Sequence, residues 1–535
     1  MLRSVLIVVV LAHAFQTQAA EKNKFLPELL VQGEYRRDTL DYDDVEKQFA
    51  REKISLLFSK KSSLDFTHVY IDSTKENRFT WNIAVRDISP HFSCILGNYY
   101  INFGAGLLVG KKIGISSDLF SRKIIVSRKS VFMPCNSGNP LFCFQGIAAI
   151  ASYSFTDVSV SLSSFVSIKN RYANNKIYEA EKTELSFNSI IYRSNKDYLH
   201  TEPVEVNDYG CAADIRLGDH ILLQTYFIYS DIRRNNKSIL WNYGDRGTMA
   251  CGDKAFYGYG LFAQYRDEYI TIFFESGVPN RVVRNSDGKH ENVRDYGLVY
   301  GIKFRHPVFS LSLTGKNTGK TFYSPYSSGN GSAENAWMAN MSVTPLKKLT
   351  VGAGFFGERN ISPAYNESYL RSIRLEKAYL QYRLQTRGRV LLKFIRLESV
   401  KQSGIERYLQ LVSSIKYYIN DSVLLSLSGK AQKKDSGICS ASVNTGIGFT
   451  MWNYFTFMMY FSRYFISNKN YLYSTVVPNT DAITSGSFIK TSSNVLTGKV
   501  SVRYRDAVIS VRYEHQFFDG RSIQHRVDLF GRCLL

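Results

Sequence analysis

The chain has 535 residues, and its 67 lysine and arginine residues outnumber the 46 aspartate and glutamate residues, for a formal net charge of +21. Aromatic residues make up 14% of the sequence, and they favour strands and membrane–water interfaces. Beyond the N-terminus no apolar stretch is long enough for a transmembrane helix. The mature chain is therefore either soluble outside the cytoplasm or crosses a membrane as strands, because only helices and closed barrels satisfy their backbone groups in lipid.

Residues 1–20, MLRSVLIVVVLAHAFQTQAA, predict a cleaved secretion signal. Arg3 supplies the positive start, residues 6–14 the apolar centre, and Ala19 or Ala20 the small residue of a cleavage site. A membrane-anchoring helix is the alternative, but the apolar run is about ten residues where a span needs roughly twenty. We therefore expect export and removal of this segment.

A glycine-rich stretch, LGNYYINFGAGLLVGKK, occupies residues 96–112. It does not fit a dinucleotide-binding loop, because the third glycine falls one residue late and no helical pattern follows. Apolar residues instead alternate with polar or small ones, which is the period of a strand. The stretch therefore predicts a strand with Gly104, Gly106 and Gly110 on its polar face.

The seven cysteines are sparse for this length. Cys135 and Cys143, in PCNSGNPLFC, are close enough in sequence to close a small disulfide loop in an oxidising compartment. The odd total leaves at least one cysteine as a free thiol or in an intermolecular bond. No C-x-x-C pair suggests zinc, and we predict neither a metal site nor a cofactor.

From about residue 143 onward the sequence alternates between apolar and polar residues with few interruptions. Examples are DVSVSLSSFVSIK at residues 157–169, DSVLLSLSGKAQ at 421–432 and CSASVNTGIGFT at 439–450. These strands run to about ten residues or more, which is longer than the usual five or six of soluble sheets. Their length is close to what a tilted strand needs to cross a bilayer.

Short and long connections alternate along the same region, which is typical of outer-membrane barrels. A soluble sandwich or propeller would explain the alternation of residues, but not long strands with loops that are long on one side only. Tight turns are predicted at Thr156-Asp157, Gly218-Asp219, Arg266-Asp267, His306-Pro307, Pro345-Leu346, Arg387-Gly388, Asn420-Asp421, Trp452-Asn453 and Arg505-Asp506.

We therefore predict an all-β fold, a large antiparallel transmembrane β-barrel of roughly 20–26 strands with short periplasmic turns and long extracellular loops. The barrel is expected to occupy residues 21–535 of the chain. The highly charged residues 36–53 are either part of a charged N-terminal segment, at residues 21–60, or the first loop. The predicted location is the outer membrane, with its lipid as the surrounding partner; the oligomeric state stays open.

The glycine-rich stretch also resembles a signature, G-(D/N)-Y-x-(L/I)-x-F-G-x-G-L-x-x-G, of a poorly characterised group of bacterial outer-membrane proteins. In that group a barrel-like region often follows helix-hairpin-helix repeats, which are absent here, so their DNA-binding role does not carry over. A second departure, from barrels in general, is the non-aromatic last residue, Leu535. The matching positions are Gly97, Asn98, Tyr99, Ile101, Phe103, Gly104, Gly106, Leu107 and Gly110.

The glycines of the signature have a structural interpretation. On the lumen face of a strand, Gly104, Gly106 and Gly110 let another backbone, a plug or an inward loop approach closely, or let the wall bend. Gly97 also matches the signature, and the resemblance implies a structural role for it as well. A direct ligand contact is the less favoured alternative.

No catalytic constellation stands out, so we predict that the protein is not an enzyme. Asp219-His220 is the most suggestive pair, but its position at a predicted tight turn favours a turn carboxylate followed by a strand residue. His290-Glu291 lies in a predicted long loop and is equally weak. The motifs G-x-S-x-G, H-E-x-x-H and the P-loop are absent.

The basic charge is the clearest indication of function. Basic residues on the polar faces of strands would make a lumen that favours small anionic solutes; alternatively, many of the charges lie beside anionic lipid headgroups. We predict a channel or transport-related pore, with an occluded surface barrel that acts as adhesin or scaffold through its long loops as the alternative. No compact basic-aromatic module supports nucleic acid as a partner. The predicted lumen-facing residues are Lys377, Arg383, Lys430, Lys499, Arg503 and Arg512.

Overall fold

The structure is a computed structural model of the chain. The predicted signal, residues 1–20, lies outside the residues that it describes. The described residues are 28–40, 45–59, 62–71, 76–89, 91–110, 131–135, 143–178, 182–186, 201–233, 239–242, 248–251, 256–284, 290–320, 322, 324, 326–327, 334–360, 372–384, 387–401, 404–435, 439–452, 454–466, 472–474, 487–489, 493–504, 507–518 and 521–534.

Twenty-four long strands form the wall of a closed antiparallel barrel, as the alternating sequence predicts. They are β1 (Glu28–Leu40), β2 (Val45–Ser59), β3 (Ser62–Ile71), β4 (Glu76–Ser89), β5 (Phe92–Ile101), β8 (Phe144–Ser154), β9 (Val158–Tyr178), β11 (Thr201–Leu217), β12 (Ile221–Arg233), β15 (Phe256–Arg266), β16 (Ile270–Arg284), β18 (Gly297–Arg305), β19 (Phe309–Thr318), β21 (Glu334–Leu346), β22 (Leu349–Asn360), β23 (Ser372–Leu384), β24 (Gly388–Lys401), β25 (Gly404–Asn420), β26 (Val423–Lys434), β27 (Cys439–Met451), β28 (Phe455–Ile466), β31 (Ser493–Tyr504), β32 (Ala507–Phe518) and β33 (Arg521–Leu534).

Short strands add to this wall at the ends of the long ones or pair with each other. They are β6 (Val109–Gly110), β7 (Phe132–Pro134), β10 (Lys182–Ser186), β13 (Ile239–Asn242), β14 (Thr248–Cys251), β17 (His290–Arg294), β20 (Tyr326–Ser327), β29 (Leu472–Ser474) and β30 (Ser487–Ile489).

Each wall strand pairs antiparallel with its neighbours in chain order, and β1 pairs with β33 to close the barrel. The closing register runs from Leu30 opposite Leu534 to Leu40 opposite Gln524. The charged sequence at residues 36–53 therefore belongs largely to β1 and β2, so that the described part of residues 21–60 is barrel wall rather than a separate segment.

The two ends of the barrel differ in their connections. One end carries both termini of the wall and turns of about two or three residues, the arrangement of a periplasmic end. The predicted turns fall at this end, although the one placed at Pro345-Leu346 begins after Leu346, and Asn453 and Arg505-Asp506 lie outside the described residues. At the opposite end several predicted loops begin as strand, because β9 and β16 continue as far as Tyr178 and Arg284.

The outward face of the wall is apolar between two rows of exposed aromatic side chains, as expected for a barrel surrounded by lipid. Leu162, Leu261, Leu411 and Leu427 represent the band between the rows. Aromatic side chains near the periplasmic end are Tyr153, Phe155, Tyr265, Tyr269, Tyr382, Tyr417, Trp452, Tyr454 and Tyr504; those near the other end include Phe79, Trp81, Tyr259, Tyr296 and Trp337. Among the described residues, no helix has the length and apolar character that a membrane span requires.

Candidate functional site in the barrel lumen

The glycine-rich stretch leaves the wall and enters the lumen. β5 ends at Ile101, and residues 102–110, here called the inward loop, fold back so that the Phe103 N–H donates to the Val109 carbonyl at 3.3 Å. Gly104, Gly106 and Gly110 have φ values of 53°, 89° and 116°, which β-branched and bulky residues rarely adopt. The predicted strand is therefore too long, because these three glycines turn the backbone inward.

The apolar side of β5 faces the lumen. Ile95, Tyr99 and Ile101 are buried, whereas Leu96 points outward and is exposed. Gly97, with a φ of 92°, lies against Trp81 of β4, whose carbonyl oxygen a Cβ at this position would overlap. Gly97 therefore lets β5 approach β4 closely.

Apolar side chains of the inward loop, of the wall strands β4–β18 and of residues 131, 132 and 322 form one cluster, here called the lumen core. Its members are Ala84, Ile95, Tyr99, Ile101, Phe103, Ala105, Leu107, Leu108, Val109, Val131, Phe132, Phe144, Ala148, Phe165, Ala212, Tyr226, Ile228, Phe256, Phe262, Phe273, Val299 and Phe322. A core of this kind is absent from a simple water-filled pore, so one side of the lumen is packed.

Glycines of the wall make room for the inward loop. A Cβ at Gly277 would lie 2.9 Å from Leu108 Cγ, and a Cβ at Gly297 would lie 3.1 Å from Leu107 Cδ1. Gly258 approaches Leu108 in the same way, with its Cβ position 3.2 Å from Cδ1. Glycine on the wall thus leaves room for the two leucines, because a Cβ at these positions would force their side chains to shift.

A buried carboxylate holds the inward loop to the wall. Glu275 of β16 accepts hydrogen bonds from the Ala105 N–H at 2.6 Å and the Leu107 N–H at 3.3 Å, and also from the Tyr226 hydroxyl. The Gly104 N–H donates to Gln224 Oε1 at 2.7 Å. These bonds satisfy backbone donors that have left the sheet, which is the condition for burying an irregular loop.

Cys135 and Cys143 are joined in a disulfide, with their Cα atoms 6.2 Å apart. The preceding short strand β7 pairs with β5, and the Cys135 N–H donates to the Asn98 carbonyl at 2.9 Å. Asn82 of β4 donates to the Cys135 carbonyl at 3.3 Å. The disulfide therefore ties the returning chain to the start of β8 beside the lumen core.

The opposite side of the lumen carries basic side chains. Strand alternation gives the inward positions of β23–β26, here called the basic wall. Among the described side chains at these positions, the one carboxylate is Glu406, which pairs with Lys434 at 2.9 Å. No member of the lumen core comes from these strands, although Leu375 of β23 belongs to a second, smaller apolar cluster, against which inward Ile373, Ile395 and Leu397 pack. The basic residues at these positions are Lys377, Arg383, Arg389, Lys393, Lys416, Lys430 and Lys434.

The three basic positions predicted on β31 and β32 have different surroundings. Lys499 lies opposite Arg512 in the register, and both face inward. Arg512 is 1% exposed and forms ion pairs with Glu514 and, at 3.4 Å, with Asp528, which also pairs with Arg526 at 3.3 Å. Arg503 faces inward near the periplasmic end and is exposed.

The structure thus places the six predicted residues on two separate parts of the lumen. Lys377, Arg383 and Lys430 belong to the basic wall, whereas Lys499, Arg503 and Arg512 lie on β31 and β32. Sequence reasoning missed Arg389, Lys393, Lys416 and Lys434, although the same alternation on β24–β26 would have identified them. It also missed Glu275 and Gln224, since no sequence pattern shows which polar residue meets the inward loop.

The histidines considered as catalytic candidates do not form a constellation. His220 lies in the turn between β11 and β12, where its Nδ1 is 2.9 Å from the Arg266 carbonyl oxygen. His290 is the first residue of the short strand β17. Within the described part of the chain, no three His, Cys, Asp or Glu residues are grouped so that they could hold a metal ion.

The comparisons with known proteins give similarity of shape only. No family model and no curated protein matches the sequence. The siderophore receptor PirA from Pseudomonas aeruginosa is similar at 8% identity and a TM-score of 0.47, covering 95% of this chain and 81% of the receptor. A ferric enterobactin receptor (PfeA) mutant from the same organism is similar at 9% identity and a TM-score of 0.46, covering 96% of this chain and 81% of the receptor. The translocation pore of the P pilus usher (PapC) is similar at 7% identity and a TM-score of 0.44, covering 95% of this chain and 100% of the pore.

Proposed function

We propose that the protein is an outer-membrane channel, or a transport-related pore, in which small anions pass along the basic wall. The observation that carries the proposal is the charge of the inward positions of β23–β26, where lysines and arginines face the lumen with Glu406 as the one described carboxylate. A lumen lined by one sign of charge raises the local concentration of the opposite ion.

The division of the lumen supports the same path. The lumen core and the inward loop cover the inner faces of β4–β18, so solutes would pass on the other side. Lys377 and Lys430 are half-buried inward residues of that side, and neither belongs to the lumen core. An anion would therefore meet fixed positive charge at mid-height of the barrel rather than only at its rims.

The test is the reversal potential of the purified barrel in a planar bilayer under a potassium chloride gradient. We expect anion selectivity that weakens at high salt, since the screening length falls from about 10 Å at 0.1 M to about 3 Å at 1 M. Combined Lys377→Gln, Lys393→Gln and Lys430→Gln should move the reversal potential toward the non-selective value. Lys433→Gln, which changes an outward lysine on the same strand as Lys430, serves as the control and should leave the reversal potential unchanged.

The second candidate is an occluded surface barrel that acts as an adhesin or scaffold through its external loops. The packed lumen core favours it, because a pore needs no apolar cluster inside. Wild-type protein that inserts into bilayers without open-channel steps would support this candidate and contradict the channel. An unchanged reversal potential in the conducting triple variant would contradict the proposed path.

A further inference from the structure

Three basic residues form a row across the adjacent strands β23, β24 and β25 at the periplasmic end of the basic wall. Arg383 lies directly opposite Arg389, and Arg389 directly opposite Lys416. The Arg383 N–H donates to the Lys348 carbonyl at 2.8 Å, which places the β21–β22 turn at the end of the row. We call Arg383, Arg389 and Lys416 the rim row.

The rim row faces the lumen and not the lipid. Its outward neighbours along the strands, Tyr382 and Tyr417, are 39% and 38% exposed and belong to the periplasmic aromatic row. Alternation therefore directs Arg383 and Lys416 inward. Both are exposed, as expected for side chains at the open mouth of a wide barrel.

Like charges directly opposite each other on neighbouring strands destabilise a sheet. Within the described residues, the side chains of Arg383, Arg389 and Lys416 make no hydrogen bond or ion pair with a carboxylate. The inward positions next above the row are Gln381, Leu391 and Ser414, which are neutral. The repulsion in the row is thus not offset by the neighbouring wall.

The contrast with other charged positions makes the row distinctive. On the lumen side, Arg512 is balanced by Glu514 and Asp528. On the lipid side of the same strands, Arg374 pairs with Glu376 at 2.8 Å and Arg407 with Glu398 at 2.9 Å. Arginines elsewhere on these strands therefore have carboxylate partners supplied by the chain.

We propose that the rim row is a binding site for a multivalent oxyanion with two or more linked phosphoryl groups. Neighbouring strands lie about 4.8 Å apart, so Arg383, Arg389 and Lys416 span about 10 Å, the length scale of a short phosphate chain. Arginine binds phosphoryl oxygens with two parallel N–H donors, and lysine acts as a point charge. The anion supplies the negative charge that the wall lacks and lowers the repulsion in the row.

The inward direction of the row assigns the ligand to the soluble phase of the lumen and not to a lipid headgroup. This inference deepens the proposed anion path, because it names a ligand class and a position on it. It does not require conduction, however. If the barrel binds the ligand but does not conduct, the proposed channel is wrong and the binding site stands. If the barrel conducts anions but does not bind the ligand, the binding site is wrong and the channel stands.

The experiment is calorimetric titration of the detergent-purified barrel with tripolyphosphate at constant ionic strength, with inorganic phosphate, which has a single phosphoryl group, as the comparison ligand. We expect tripolyphosphate to bind at least about tenfold tighter than phosphate. The variant with Arg383→Gln, Arg389→Gln and Lys416→Gln should lose at least about tenfold in affinity for tripolyphosphate. Heat-modifiable gel mobility confirms its folding, and Arg389→Gln alone replaces it if the triple variant does not fold.

A matched control removes one outward arginine from each of the same three strands: Arg374→Gln, Arg396→Gln and Arg407→Gln. It changes the net charge by the same amount, and its affinity should equal that of the wild type. Equal loss in the two variants, or equal binding of tripolyphosphate and phosphate, overturns the site. In nanodiscs, equal affinity with phosphatidylcholine and phosphatidylglycerol supports a soluble ligand, whereas competition by phosphatidylglycerol overturns the lumenal assignment.

Discussion

Removing the Glu275 carboxylate should release the inward loop while the barrel stays closed. A hydrogen bond to a charged group contributes about 1.5–3 kcal/mol, and Glu275 accepts two from the loop backbone, at Ala105 and Leu107. Glu275→Ala should therefore destabilise the folded-in loop by about 3–6 kcal/mol. Glu275→Gln keeps one acceptor oxygen and should have a smaller effect.

Hydrogen exchange followed by mass spectrometry measures this release directly, because local opening sets the exchange rate of buried amides. Destabilising the folded-in loop by about 3–6 kcal/mol corresponds to amide exchange that is about two to four orders of magnitude faster at residues 102–110 in Glu275→Ala. Glu406→Gln, which changes another inward glutamate that pairs with Lys434, is the control. Unchanged exchange in Glu275→Ala, or equal acceleration in the control, would refute the reasoning.

Three further outcomes are expected. The mature protein should fractionate with the outer membrane and show heat-modifiable gel mobility; release by a carbonate wash would contradict the transmembrane barrel. Leu427→Arg, on the lipid face near mid-height, should lower the free energy of unfolding by about 2–4 kcal/mol in urea titrations of vesicle-inserted protein. Ser428→Gln, on the inward face, should be tolerated, and equal destabilisation by the two variants would mean that the faces are reversed. The N–H groups of Ile270 and Tyr269 donate to Asp267 and lower its pKa below the ordinary 3.8. The wild type should therefore be more stable than Asp267→Ala at neutral pH, and this difference in stability should vanish as the pH falls through the lowered pKa. A difference in stability between the two proteins that persists in acid would contradict this.

The sequence predicts the barrel well because strand alternation and turn residues are local signals. Ile509 is exposed to the outside and Ser510 is fully buried, as the alternation on β32 predicts. Turn residues such as Gly218 and Asp267 mark strand ends in the same local way. The estimate of roughly 20–26 strands includes the observed 24, since each tight turn implies one hairpin.

The contents of the lumen were harder to predict, because they depend on contacts between residues far apart in the chain. Alternation continues through Phe103 and Ala105 as if β5 did not end, and only the positive φ of Gly104 and Gly106 reveals the turn inward. Arg512 has the alternation of a lumen residue, but its carboxylate partner Asp528 lies on the next strand in a register that the sequence does not specify.

Closure of the sheet by β1 and β33 joins the first described wall strand to the last one. Synthesis from the N-terminus leaves β1 without this neighbour until residues 521–534 have been made. Any earlier sheet has two edges, and in lipid each would expose a row of unsatisfied backbone groups. Insertion strand by strand is therefore costly, and shortening the chain by its last strand should abolish the membrane-inserted state instead of giving a smaller barrel.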